Sequence, residues 1–105
     1  MFRLTVCYGH PSDPAAFDRY YEETHAPLAR QVPGLAAYTG GRCSSLDGSE
    51  PAYYYLAFLD FATEEDYRGG LGSPEMGKAG ADVANFATGG VTMLTQQLDD
   101  LTTAG

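Results

Sequence analysis

The sequence predicts an α+β domain of element order β-α-β-β-α-β, with four strands in one antiparallel sheet and the helices on one face. Three observations carry this. Segments at 2–8, 35–44, 52–61 and 91–98 are apolar and strand-like, several with a period of two. Helix-capping patterns open at Ser12-Asp13-Pro14, at Thr63-Glu64-Glu65-Asp66 and at Ser73-Pro74-Glu75. A length of 105 residues fits one domain with one modest core.

The first strand is Phe2 to Tyr8, with Phe2, Leu4, Val6 and Tyr8 facing one way and Arg3, Thr5 and Cys7 the other. Gly9-His10-Pro11-Ser12 is a loop, and Ser12 or Asp13 caps a helix with Pro14 in its first turn. At about 100° per residue, Tyr20, Tyr21, Thr24 and Leu28 fall on the same face as Phe17. Arg19, Glu22, Glu23 and Arg30 occupy the wet half, and His25 lies on the border beside Tyr21. Pro27 has no N–H for the carbonyl of Glu23, and it pushes Ala26 away from helical angles. A kink or break is therefore expected near Thr24 to Ala26, with Thr24 as cap of a short following turn.

Val32-Pro33-Gly34-Leu35 is a turn leading into a strand from Leu35 to about Ser44. There Tyr38 shares a face with Ala36, Gly40 and Arg42, opposite Leu35, Ala37 and Thr39. Leu46 to Pro51 is a hairpin connection. Ala52 to Phe61 is apolar on both faces, which predicts a central strand covered on both sides. The helix opened at Thr63 is interrupted by Gly69-Gly70-Leu71-Gly72. A second helical piece from Ser73 carries Met76, Ala79, Val83 and Phe86. Gly89-Gly90 breaks it, Val91 to Leu98 is the last strand, and residues 99–105 read as a loose tail. This order is the split βαβ, ferredoxin-like arrangement. The second cover for the 52–61 strand would come from an identical chain, closed sheet to sheet with two-fold symmetry.

Composition narrows the function. There are 14 acidic and 6 basic residues, for a net charge of -8. Nucleic acids and anionic membrane surfaces need clustered Lys and Arg, so neither is expected as a partner. No apolar run approaches a membrane span, and the N-terminal strand is too short and alternating for a signal peptide, so a cytoplasmic location is expected. Cys7 and Cys43 make neither a disulfide framework nor a zinc site and read as buried free thiols. No metal is expected. No glycine-rich phosphate loop stands between a strand and a helix, so no cofactor is expected either.

His25 is the residue best suited to move a proton, since an unperturbed imidazole titrates near neutrality. A structural role competes: carbonyls freed by Pro27 could be satisfied by the imidazole N–H. Glu22, one turn earlier, could orient the ring, although exposure suits it better. His10 reads as a loop histidine. The aromatic helix and the sheet, with Tyr21 and Tyr20 on one side and Tyr8 and Tyr54 on the other, would wall a mostly apolar pocket. A hydrophobic small molecule suits such a pocket better than a phosphate or a sugar.

The pattern Phe17-x-x-Tyr20-Tyr21-x-x-Thr24-His25-x-Pro27-Leu28, followed by Pro33-Gly34-Leu35, resembles the EthD family of the dimeric α/β-barrel superfamily. The length and element order match along the whole chain. The family is named after a protein encoded with a cytochrome P450 system for ethyl tert-butyl ether degradation. Its superfamily includes isomerases, polyketide cyclases, cofactor-free monooxygenases and some haem-binding proteins, so fold alone leaves the reaction open. The resemblance implies a homodimer with a helix–sheet cleft. By position it implies that His25 and Tyr38 pair there, as a histidine and a tyrosine do in methylmuconolactone methylisomerase. His25 would act as general acid or base and Tyr38 would donate to an oxygen gaining charge. Tyr21, Thr24, Leu28, Tyr8 and Tyr54 would bind the substrate. Three functions follow as alternatives. The first is a cofactor-independent isomerase, cyclase or oxidoreductase of oxidative catabolism or secondary metabolism. The second is a non-catalytic carrier or accessory of an oxidative system. The third is haem binding through His25.

Overall fold

The computed structural model describes residues 1–103. Strands β1 (Phe2–Tyr8), β2 (Leu35–Arg42), β3 (Tyr55–Phe61) and β4 (Val91–Gln97) form one antiparallel sheet in the order β2-β3-β1-β4. Helices α1 (Pro14–Tyr20) and α2 (Ala26–Ala29) lie between β1 and β2, joined by a π-helical turn, Tyr21–His25. Helices α3 (Glu64–Leu71) and α4 (Pro74–Asp82), with a short 3-10 turn at Val83–Asn85, lie between β3 and β4. The element order and antiparallel sheet are those the sequence predicts.

In β1, Leu4, Val6 and Tyr8 point into the helix-covered core and are no more than 4% exposed. Their partners Leu59, Ala57 and Tyr55 on β3 complete the floor of that core. The core is aromatic: Tyr8 meets Phe17, Tyr21, Tyr55 and Phe86 at ring separations of 5.4, 5.8, 6.2 and 5.5 Å. Tilted and edge-on pairs of this kind add to the stabilisation given by burial. The opposite sheet face carries Thr5 and Cys7 from β1, Leu56 and Phe58 from β3, and Leu94 from β4, which is 57% exposed. Arg3 crosses this face to Asp60 in a bidentate pair of 2.7 and 3.0 Å and also lies over the Phe58 ring.

Asp13, not Ser12, caps α1, accepting from the Ala16 amide at 3.1 Å. The helix does not break before Pro27. Ala26 keeps helical angles, φ -58 and ψ -41, and its amide donates to the carbonyl of Tyr21, five residues back. One extra residue is taken into the turn, so the chain passes the proline by widening rather than by kinking. Thr24 caps nothing and is exposed.

Strand β2 has a bulge between Leu35 and Ala37. An extra residue reverses the alternation, so Leu35 packs toward the core together with Tyr38 rather than opposite it. Strand β3 starts at Tyr55, three residues later than expected. The Tyr54 amide instead reaches across to the carbonyl of Tyr8 at 2.8 Å, and the Tyr54 hydroxyl donates to Asp18 at 2.7 Å. Helix α3 runs through Gly69 and Gly70 rather than stopping there. Gly70 is a packing requirement: a Cβ would fall against the Phe61 ring and 2.8 Å from the Pro33 carbonyl oxygen. Cys7 is buried, Cys43 is half-buried, and both are free. Asp99 to Thr103 follow the sheet without regular structure, and residues 104 and 105 of the expected tail lie outside the described residues. Among the described residues, no helix is long and apolar enough to cross a membrane.

Candidate active site

The widened turn sets the site. With one more residue between Tyr20 and Ala26, His25 falls inward beneath Tyr21, ring centroids 5.1 Å apart, and is 4% exposed. It is a buried residue, not a border one. Its Nδ1 lies 3.0 Å from Oδ2 of Asp82 at the end of α4. Its Nε2 lies 3.4 Å from the Tyr8 hydroxyl. Neither nitrogen bonds a backbone carbonyl, so the imidazole does not staple the helix.

Asp82 is itself held. Its Oδ1 accepts from the Tyr20 hydroxyl at 2.6 Å and from the Asn85 side-chain amide at 3.1 Å. Burial alone would raise its carboxyl, but the hydrogen bonds from Tyr20, Asn85 and His25 outweigh this and hold it below 3.8. It is therefore ionised and has no hydrogen to give. The Nδ1 nitrogen must carry the proton and donate it, which leaves Nε2 with its lone pair. Burial also holds His25 below its ordinary 6.5, against the pull of Asp82, so the ring is neutral at pH 7. The arrangement is an oriented, uncharged base with a fixed tautomer.

That lone pair faces a cleft between sheet and helices. Val6, Ala57, Leu59 and Met93 form its floor, with Tyr38 at the β2 edge; Tyr21, His25 and Ala29 line one wall. Met76, Ala79 and Val83 of the second helical unit line the other. The space open to a water-sized body is about 20 Å³, enough for one water. Across it the hydroxyls of Tyr21 and Tyr38 are 2.6 Å apart. Burial pushes the Tyr8, Tyr21 and Tyr38 hydroxyls above their ordinary value of 10, so all three remain protonated donors.

The structure thus brings together His25, Tyr38, Tyr21 and Tyr8. Tyr38 bonds Tyr21 rather than facing His25 directly, and Tyr8 stands nearest the imidazole. Thr24, Leu28 and Tyr54 do not line the cleft. The extra residue in the turn swings Thr24 out, and Tyr54 is drawn away to Asp18. Glu22 is exposed and the orienting carboxylate is Asp82. The sequence carried a signal for it: Asp82 stands three residues after Ala79 and four before Phe86, on the apolar stripe of its helix. The lining does not suit a haem, because the Tyr8 hydroxyl stands on Nε2 and no Arg or Lys lines the cleft to pair with haem propionates. Among the described residues, no group of three or more His, Cys, Asp or Glu is placed to hold a metal ion.

A family model for the EthD domain matches residues 10–90. The chain belongs to the EthD family. An uncharacterised 11.0 kDa protein from the thcB-thcC intergenic region of Rhodococcus erythropolis is 50% identical over 94 residues, covering 90% of this chain and 91% of that one. Among solved structures, an ethyl tert-butyl ether D (EthD) family protein from Bacillus halodurans superposes with a TM-score of 0.86 at 28% identity, covering 94% of this chain and 99% of that chain. A protein of unknown function from Thermobifida fusca, described as dimeric and ferredoxin-like, superposes with a TM-score of 0.68 at 16% identity, over 92% and 90% of the two chains. The EthD domain reaches from the loop before α1 to the turn before β4, and so takes in His25, Tyr38 and Asp82.

The site makes stability depend on pH. The unfolded chain binds a proton at His25 near pH 6.5, whereas the folded chain binds it only at lower pH. Between those values the unfolded state holds more protons. Stability from this residue is therefore complete above pH 6.5 and is expected to fall as pH drops toward the folded value. Urea midpoints measured from pH 7.5 down to 5 should decline across that window, and the decline should be absent in His25→Ala.

Proposed function

We propose that this EthD protein transfers a proton on a small hydrophobic carbonyl compound, with Nε2 of His25 as the base. The observation that carries the reading is the buried Asp82–His25 pair, whose second nitrogen accepts a long hydrogen bond from the Tyr8 hydroxyl at 3.4 Å and lies in the lining of an apolar cleft edged by hydroxyl donors. The cleft as it stands has room for one water, so the Tyr21–Tyr38 pair must part to admit the reacting end of the substrate. Nε2 then takes a hydrogen from the carbon beside the carbonyl, and the electron pair moves to the oxygen as an enolate. The Tyr38 hydroxyl, drawn into the pair with Tyr21, or the Tyr8 hydroxyl donates to that oxygen. Ionised Asp82 stabilises the imidazolium formed, without taking its proton. Return of the proton to a different carbon completes an isomerisation. Attack by the enolate carbon on a second carbonyl of the same molecule, whose C=O π bond opens to an alkoxide that takes the proton back from the imidazolium, completes an aldol-type cyclisation.

The working unit in this reading is a homodimer closed through the uncovered sheet face. Half-buried Leu56 and Phe58, exposed Leu94 and the unpartnered, buried Thr5 hydroxyl lie there. Native mass spectrometry reads the oligomer together with any retained guest. The reaction is tested in D2O with a panel of hydrophobic ketones and lactones. Catalysed deuterium incorporation beside the carbonyl is the expected result. Binding without incorporation across the panel would replace this reading with that of a carrier.

A further inference from the structure

A cleft with room for one water cannot hold the body of a substrate. Beside it, on the far side of Tyr21 and Tyr38, runs a wider groove between the first helical unit and the β2 edge. Its two lobes offer about 380 and 340 Å³ to a water-sized body, and Tyr21, Ala26 and Tyr55 line both. That is the size range of small-molecule sites. Tyr21 and Tyr38 also line the inner cleft, so their paired hydroxyls form the partition between groove and base.

The groove is electrically lopsided. At one end Asp18 is occupied by Arg42 and by the Tyr54 hydroxyl, with Glu22 beside it. At the other end Arg30 stands with Tyr38 and Thr39. Arg3, Arg42 and Arg68 each hold a carboxylate, but Arg30 has no such partner among the described residues. The floor is flat because residue 40 is glycine. A Cβ there would lie 2.5 Å from the Tyr55 hydroxyl oxygen and 2.9 Å from its ring, so only glycine lets that ring lie against β2.

We propose that the groove binds a flat hydrophobic anion of the aryl-carboxylate or phenolate class, with its ring on Tyr21 and Tyr55 and its charged oxygen at Arg30. At the opposite end Arg42 is paired with Asp18, and Glu22 beside the pair repels the anion and fixes its direction. This assignment takes from the proton-transfer reading only that the inner cleft lies next door; the binding itself is independent of turnover.

The test is an NMR titration of the full-length 15N-labelled protein with 2-naphthoate and with its neutral methyl ester. Naphthoate should shift the amides of Ala26, Arg30 and Thr39. Arg30→Gln should weaken it about tenfold or more, the scale of one charge-assisted contact. Arg19→Gln, an equal change of charge outside the groove, should leave the affinity unchanged. The ester should bind less tightly than the acid. Equal affinity of acid and ester, no effect of Arg30→Gln, or an equal effect of Arg19→Gln would each overturn the proposal. Deuterium incorporation is not part of the readout, so failure of the proton-transfer reading leaves this result standing.

Discussion

His25→Ala is expected to lose about 10²- to 10⁴-fold in the rate of proton exchange, the share that a positioned base supplies, while the protein still folds. The fold survives because Asp82 keeps two of its three hydrogen bonds, those from Tyr20 and Asn85, and is not left as a bare buried charge. The space vacated adjoins the inner cleft, so added imidazole should restore part of the rate. Asp82→Asn makes a sharper case. Its side-chain oxygen would keep the Tyr20 hydrogen bond, and its NH2 would then face Nδ1. That turns the imidazole into the other tautomer, with its hydrogen on Nε2 and no lone pair toward the cleft. A loss of about 10⁴-fold is expected by the same logic that governs a serine protease aspartate. Deuterium incorporation followed by mass spectrometry measures both variants, and 15N shifts of the ring nitrogens report the tautomer. Exchange that survives in His25→Ala would remove the histidine from the chemistry.

The largest effect on stability should come from Phe61. Its side chain is fully buried at the end of β3, where it meets Tyr67 edge-on at 5.8 Å and lies against the bare backbone of Gly70. Phe61→Ala is expected to cost about 3–5 kcal/mol, with the upper end favoured where neighbours cannot collapse into the space. Gly70 offers no side chain to move into that space, so collapse would fall to Tyr67 and the sheet neighbours Phe2 and Leu35. Against a total stability of about 5–15 kcal/mol for a small domain, that is a large fraction. Phe61→Leu, which keeps most of the volume, should cost far less. Urea denaturation of both variants gives the comparison, and an alanine variant with an unchanged midpoint would contradict the packing described.

Most of the fold was legible because periodicity survives wherever the backbone is regular. The alternation of Phe2 to Tyr8, the Asp13 and Ser73 caps with their following prolines, and the Gly89-Gly90 break all lie where they were expected. What misled was a change of phase. The helical wheel holds up to Tyr21 and then slips by one residue, which sends Thr24 outward and His25 inward. The bulge at the start of β2 reverses the face of Leu35 in the same way. Intrinsic propensity makes Gly69 and Gly70 a break, and tertiary packing of Gly70 on Phe61 overrides it. His25 is legible from its titration range, Tyr38 from the family resemblance by position, and Tyr21 and Tyr8 as aromatic walls of an expected pocket. Asp82 is hard to single out in the sequence because a lone acid among many looks like surface, although its neighbours on the stripe are buried.

The five-residue turn makes this helix sensitive to counting rather than to composition. Glu22, Glu23 and Thr24 are exposed and touch nothing in the inner cleft, so exchanging any of them for another residue should leave the Asp82–His25 pair in place. Removing any one of them is a different event. The turn could then close as ordinary α-helix, and every residue beyond it would rotate by about 100° relative to the part before. His25 would leave Asp82 without a single site residue having been altered. A catalogue of substitutions at these three positions would leave the Asp82–His25 pair untouched, while a one-residue deletion would show that their number holds it together.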